Sequence, residues 1–555
     1  MDRVYMLKSL RGGVEPHKSR RIVIIVFLLG LYFVWSIYND IGFFYWDGSY
    51  NPRSIAFYCS MKIIVAFLMM VLGCAIYRIS LYPKEFMLVL LQRAKHAWLV
   101  VIFYFVLLLV LWPGNWGVVG DEYQIYLSVK NLRVWLDQGI FSSAFMCLCL
   151  MIYPHPGIIS LIQCIISVVL LGDVLYKFHE EYHNKIVSIL MTLLFVSLPA
   201  LCFVLCPIRA WLYSILLIAL LENIFFISTS SNESGQKRAY IVITLICMLV
   251  ANYRKEGMIF ALICPVVIII FGKLSRQAKK WFAFGYIGIF ILFTVFLRGL
   301  IWLGNGQTLT QHSGYMLVCP LSIILTDEEK YAQISDEDLA NIDKVYDIAV
   351  MQEYPSMIEP FQWKRNERSF DEPSSEEMSA FMKSAAKIII SNKWTFLECK
   401  WEAAKQSLGI YPFGGGIGSI WTKDRMVTWN ELTDLPGDMT NDFPEVGALR
   451  ERVSHSIVYP FKIRGISAYY IFYAFWFPCL LLPICLIWNL IKKNYLEATI
   501  SLTLCVQLIL VILTAPSRFQ MYYLSFYFAG WYMLARLLAG IKRCKHKSNE
   551  KIVDE

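Results

Sequence analysis

The stretch that decides the fold runs from His96 to Tyr123. It reads HAWLVVIFYFVLLLVLW over 96–112, then Pro113-Gly114-Asn115-Trp116-Gly117-Val118-Val119-Gly120-Asp121-Glu122-Tyr123. With its flanks and a little tilt, the apolar part is long enough to cross a bilayer, which takes about 20 residues. Pro113 and Gly114 stop that helix. Two carboxylates follow on a short loop at the membrane lip. Behind them lies an amphipathic segment with Tyr126, Val129, Leu132, Trp135 and Leu136 on one side and Lys130, Arg133 and Asp137 on the other. Such a segment is expected to lie on the membrane surface. An acid pair at that place is expensive to desolvate, so Asp121 and Glu122 read as functional residues, the plain alternative being a solvated loop.

Working outward, the 555 residues are 57% hydrophobic and 15% aromatic, with a mean hydropathy of +0.52. Apolar runs near the length of a bilayer recur along the chain, which excludes a soluble globular protein. A transmembrane β-barrel would show short alternating segments instead. The fold class expected is an all-α polytopic membrane protein. The formal net charge of +9 belongs to basic loops and not to a nucleic-acid surface. No small-residue cleavage site follows the first apolar run, so it reads as a membrane helix and not as a removed signal peptide. Most of the 15 cysteines lie in apolar runs and act as small hydrophobes. Cys319 and Cys399 lie in the largest polar region, where pairing is open.

Apolar spans are expected near 22–39, 62–80, 96–112, 158–176, 186–206, 209–228, 239–253, 257–272, 282–303, 467–490, 496–514 and 519–540, about twelve in all. Every second gap between them is basic, from Arg20 and Arg21 to Lys542 and Arg543. That alternation places both termini in the cytoplasm. Phe141–Tyr153 is too short to cross and would invert the pattern, so it reads as a re-entrant or interfacial helix. The expected organisation is a membrane module over 1–303 with the outer loop 113–157, a mainly helical extracytoplasmic domain over 304–465, membrane helices over 466–541, and a basic tail over 542–555. In the outer domain, Ser335 precedes three acids, and Ser374 with Glu377 forms a capping-box pattern before Met378, Phe381, Met382, Ala385 and Ile388. Gly414-Gly415-Gly416-Ile417-Gly418 reads as a flexible link and not as a dinucleotide loop.

Charges recur where the outer face meets the bundle: Arg209 after Pro207, Arg254-Lys255-Glu256 between two spans, and Arg518 before Tyr522. They run against the positive-inside trend. The guanidinium fork suits a phosphate, and the plain alternative is snorkelling to headgroups.

Taken together, the Pro-Gly…Asp-Glu loop, the Pro154-His155-Pro156 turn, the Arg254-Lys255-Glu256-Gly257 turn, the late Arg518-aromatic turn and the late outer domain resemble the GT-C membrane glycosyltransferases of bacteria. The resemblance covers most of residues 96–540, with short motifs. Two spans before the acidic loop depart from its simplest pattern. It implies an enzyme of the plasma membrane that takes a sugar from a polyprenyl-phosphate carrier at the outer face. The acceptor would be a glycan, lipid or protein hydroxyl, and the anomeric centre would invert. Asp121 would be the base, with Glu122 as helper or substitute. Arg209, Arg254, Lys255 and Arg518 would hold the carrier phosphate, with Tyr522 beside them. His155 would bond substrate or only cap its turn. Membrane lipids are the remaining partners, and no nucleic acid is expected. Two adjacent acids do not make a metal site, and a divalent ion such as Mg or Mn stays open.

Two rival readings come from other classes. His179-Glu180-Glu181-Tyr182-His183 matches the His-Glu-x-x-His pattern of zinc proteases, but it lies in a short gap between spans and has no third ligand nearby. A lipid-linked sugar flippase or polysaccharide polymerase would also place arginines near an outer cavity, and would need no base.

Overall fold

A computed structural model describes residues 16–45, 52–114, 121–136, 139–207, 209–229, 233–273, 275–306, 313–355, 373–410, 447–449, 452–453, 462–463, 466–467, 472–516 and 520–553. Arg518 and the 414–418 glycine run lie outside them. The described chain is helical but for one antiparallel ladder of β1 (Lys462–Ile463) with β2 (Ile466–Ser467), in which Lys462 faces Ser467.

The helices are α1 (Pro16–Phe43), α2 (Pro52–Leu81), α3 (Pro83–Val110), α4 (Asp121–Lys130), α5 (Ile140–Ile152), α6 (Gly157–Tyr182), α7 (Lys185–Phe195), α8 (Leu198–Val204), α9 (Arg209–Thr229), α10 (Glu233–Tyr253), α11 (Met258–Phe271) and α12 (Arg276–Leu303). Then come α13 (Tyr315–Thr326), α14 (Glu328–Tyr331), α15 (Asp336–Asp343), α16 (Ile348–Glu353), α17 (Ser375–Ser391), α18 (Lys393–Ser407), α19 (Trp476–Ile491), α20 (Tyr495–Thr514) and α21 (Leu524–Val553).

Among the described residues, seven helices are long and apolar enough to cross a membrane, and the number rises to nine if α3 and the bent pair α7–α8 each count as one span. These are the helices of a multi-pass membrane protein. The hydropathy runs predict about twelve. The shortfall lies in 239–253, where only the Ala239–Tyr253 part of α10 counts as a short apolar helix. It lies also in 257–272 and 467–490, where the helices are shorter than the runs: α11 has 14 residues and α19 has 16. Composition cannot see where a helix starts inside an apolar run, and α19 begins only at Trp476.

The central helix is α9. Of its spanning window 94% is buried, against 6% for α1, as expected for a helix apolar on every side. Around it α3, α6, α10, α20 and α21 build the main core, with Tyr104, Trp211 and Phe528 at its centre. The Trp211 indole N–H donates to Ser167 Oγ at 2.8 Å, so this large ring is buried without stranding its polar atom.

A second core joins α1, α2, α4, α5 and α12 through Phe57, Met61, Tyr126, Val129 and Leu150. It corrects the surface reading of 126–136. The apolar face is as predicted, but protein covers it, and the helix ends at Lys130. Lys130 is only 7% exposed. Its ammonium sits 4.7 Å from the Phe43 ring, 4.5 Å from Tyr45 and 5.7 Å from Tyr126. Aromatic faces take the place of solvent there.

Helix α5 is buried along most of its length and ends among the spanning helices. A helix leaves its last carbonyls without partners, and a bilayer offers no water to meet them. Lys62 on α2 donates to Met151 O at 3.0 Å, and the Tyr32 hydroxyl on α1 donates to Ile152 O. Lys62 is itself paired with Asp40 at 2.5 Å, and Tyr58 donates to the same carboxylate at 2.8 Å.

The third core closes α13, α15, α16 and α17 into a small helical unit around Leu321, Ile342, Tyr346 and Phe381. Its caps follow the sequence signals. Ser335 Oγ accepts from Asp338 N, and Ser374 with Glu377 makes both bonds of a capping box. Neither Cys319 nor Cys399 is in a disulfide.

Two outcomes follow for this unit. Phe381→Ala should cost about 3–5 kcal/mol and speed amide exchange in α13–α17 while α9 keeps its protection. Lys387 Nζ lies 2.5 Å from Asp338 and Ser335 Oγ donates at 2.6 Å. These contacts, the lysine first, hold the Asp338 carboxyl down to about 2, below the usual value of about 3.9. The stabilisation is therefore present above about pH 4 and lost as pH falls through about 2. Asp338→Asn should remove that part of the acid sensitivity of α15–α17 exchange.

Candidate functional site

Residue 254 begins a turn between α10 and α11 that the chain can make only with glycine at 257. A Cβ there would stand 2.2 Å from Val250 O. The turn presents Arg254 inward, 5% exposed. Its Nε meets Glu256 Oε1 at 2.5 Å, and its Nη1 donates to Met521 O at 3.1 Å. The guanidinium also lies 5.6 Å from the ring centres of both Tyr213 and Tyr522. Gln507 of α20 closes the group, donating to the Tyr213 hydroxyl and, at 3.2 Å, to Glu256 O. Arg254 thus ties α9 and the turn before α21 to the 254–257 turn, and Gln507 adds α20.

The other predicted residues divide around this knot. Arg209 opens α9, half-buried, on the face that carries Tyr213 four residues on. Tyr522 is half-buried against Arg254, whereas Lys255 is exposed. Arg518 lies outside the described residues, between Pro516 and Gln520, both of which are held. Cys319 Sγ donates to Pro516 O at 3.7 Å, and Lys400 donates to Ala515 O at 2.9 Å and Met316 O at 2.7 Å. Burial of Lys400 pushes its ammonium pKa down.

The acids sit in the first turn of α4, where the helix dipole favours them, and not on an open loop. Glu122 is 0% exposed. The Asp121 side chain lies outside the described residues. The chain before them is locked at Gly114, whose φ of +118° suits glycine and where a Cβ would stand 2.0 Å from Ser160 Oγ and 3.0 Å from Leu205 O. His155 stacks on Trp112 with ring centres 5.6 Å apart and 6° between planes. Its Nδ1 accepts from Gly157 N at 3.1 Å. The ring therefore caps its turn, and in the neutral form the proton sits on Nε2.

The two halves meet. At Gly139, just before α5, a Cβ would lie 3.2 Å from Asn252 O and 3.4 Å from Tyr253 O. The Phe141 and Tyr253 rings are 4.9 Å apart. The start of α5, which follows the acid-bearing α4, is thus packed against the residues that precede Arg254. Arg254, Tyr522 and the start of α9 share that end of the bundle.

The His179…His183 pattern takes another shape. Helix α6 ends at Tyr182, and His183 is a left-handed C-cap with φ of +49°. The His179 ring lies 4.4 Å from His96, with Nδ1 3.2 Å from Ser188 Oγ. Among the described residues no group of three or more His, Cys, Asp or Glu is placed to hold a metal ion.

Sequence reading missed Glu256, Tyr213 and Gln507 as members of the site. Gln507 carried a usable signal, as a polar side chain inside the apolar run 496–514. Arg254→Met should leave the half-buried Glu256 unpaired and cost about 1–3 kcal/mol. Combining it with Glu256→Gln should recover part of the loss, read by thermal unfolding in detergent. Strict additivity of the two changes would show that the pair is not coupled. Compared with family models, curated proteins and solved structures, the chain matches none.

Proposed function

We propose that the chain is a membrane glycosyltransferase that moves a sugar from a polyprenyl-phosphate carrier to an acceptor hydroxyl, with inversion. The observation that supports this reading is the packing of the start of α5, the helix that follows the acid-bearing α4, against Asn252 and Tyr253 just before Arg254. In the proposed step the acceptor O–H gives its proton to Asp121. Its oxygen bonds to the anomeric carbon as the carrier phosphate leaves from the opposite face. Arg209, Lys255 and Arg518 meet the charge that develops on the phosphate. Arg254, already matched by Glu256, acts as a positioning residue for Met521 and Tyr522. Glu122 supports Asp121 from the buried side of the same helical turn.

The proposed topology has about twelve crossings, both termini cytoplasmic and 304–465 outside, on the alternation of basic gaps. A cysteine placed at Ser374 should then label in intact cells without permeabilisation.

The activity test uses purified protein in proteoliposomes with labelled polyprenyl-phosphate sugars and reads release of polyprenyl phosphate. Asp121→Asn keeps size and hydrogen bonding but takes no proton at neutral pH. It should lose about two to four powers of ten in turnover, with donor binding kept. Glu122→Gln should cost less. Wild-type turnover by Asp121→Asn would remove Asp121 as the base. Donor movement across the bilayer without release of carrier phosphate would favour the flippase reading.

A further inference from the structure

Along α9, thirteen residues and about 20 Å from Arg209, a second group of charges is sealed inside the bundle. Arg536 of α21 makes a two-pronged pair with Glu181 of α6, with both N–O distances 3.1 Å. It also reaches Glu497 of α20 at 3.4 Å and stands 3.6 Å from Glu222 of α9. Its guanidinium lies 3.8 Å from the centre of the Phe225 ring. Tyr532 donates to Glu222 Oε2 at 2.5 Å. Lys177, one turn before Glu181, is taken by Asp173 at 2.5 Å and Asn223 at 2.8 Å.

The charges do not balance. Four carboxylates, Asp173, Glu181, Glu222 and Glu497, face three cations, Lys177, Arg536 and Arg93, the last 3.5 Å from Asp173. Among the described residues Glu222 and Glu497 share as ion-pair partner only the Arg536 that Glu181 already holds. Glu497 is 13% exposed and can face water. Glu222 is 0% exposed, and its Oε1 is buried with no hydrogen-bond partner among the described residues. A carboxylate left charged there would cost several kcal/mol. No three-ligand metal group exists among the described residues to offset it.

We infer that Glu222 is a proton-binding site inside the membrane bundle, taking one exchangeable proton on Oε1 through the partly exposed Glu497 and Glu181. The step is a plain transfer: hydronium gives its proton to Oε1 and leaves as water. Oε2 then becomes the carbonyl oxygen that accepts from Tyr532. The site is separate from the Arg254 knot, and its test does not depend on any transferase activity.

The test is infrared spectroscopy of the purified protein in lipid at about pH 7, comparing H2O with D2O. The wild type should show a carboxylic C=O band that shifts in D2O and is lost in Glu222→Gln. It should persist in Glu181→Gln. Tyr532→Phe keeps the acid and removes only the donor to Oε2, so it should move the band without abolishing it. That variant decides the case if Glu222→Gln does not fold. A wild type with no deuterium-sensitive carboxylic band, or a band unmoved in Tyr532→Phe, would overturn the assignment.

Discussion

Inside a bilayer there is no water to complete a hydrogen bond, and much of this structure answers to that shortage. Helix α5 stops among other helices, so its last carbonyls need donors from neighbours. Lys62 and Tyr32 supply them. The turn after α8 exposes carbonyls at 204 and 206, and Gln163 of α6 donates to both, at 2.7 and 2.8 Å. The turn before α21 exposes Met521 O, and Arg254 takes it. In each case a polar side chain from a distant helix meets a broken run of backbone bonds. Bonds between helices thereby follow from the breaks within them.

That pattern explains what was legible in the sequence. The caps at Ser335 and Ser374 were readable because donor and acceptor lie three residues apart. The apolar face of 126–136 was readable from its spacing. Its burial was not, because the residues that cover it, Phe43, Tyr45 and Phe57, come from α1, the residues just after it, and α2. Lys130 looked like a solvent-facing lysine, and only the end of α1 turns it into a caged one. Arg254 stood out as a charge against the trend. Its near partner Glu256 was two residues away in plain view, whereas Met521 and Gln507 lie more than 250 residues along the chain. Composition showed the membrane class but overcounted long spans, since an apolar run records hydropathy and not where a helix begins.

The two buried arginines show opposite electrostatic solutions. Arg254 meets one carboxylate and two aromatic faces, so its charge is matched locally. Arg536 stands among three carboxylates, so its surroundings carry excess negative charge. Both lie against α9, one near each end of its most buried stretch. The mostly apolar central helix thus carries its buried carboxylate, Glu222, beside Arg536 and Tyr532.

The Asp40–Lys62 pair bears on how the chain enters the membrane. Lys62 is the eleventh residue of α2, at the edge of its apolar run, and is buried in protein, where a lone ammonium is costly. Its counter-charge belongs to α1 and not to its own helix, so neither helix is self-sufficient in lipid. The two are best inserted as a hairpin in which the charges cancel before the acyl chains close around them. Helix α5, made later, then docks on a lysine whose charge is already neutralised. Its carbonyls therefore find a donor waiting. The order of synthesis and the order of electrostatic need coincide in this corner of the protein.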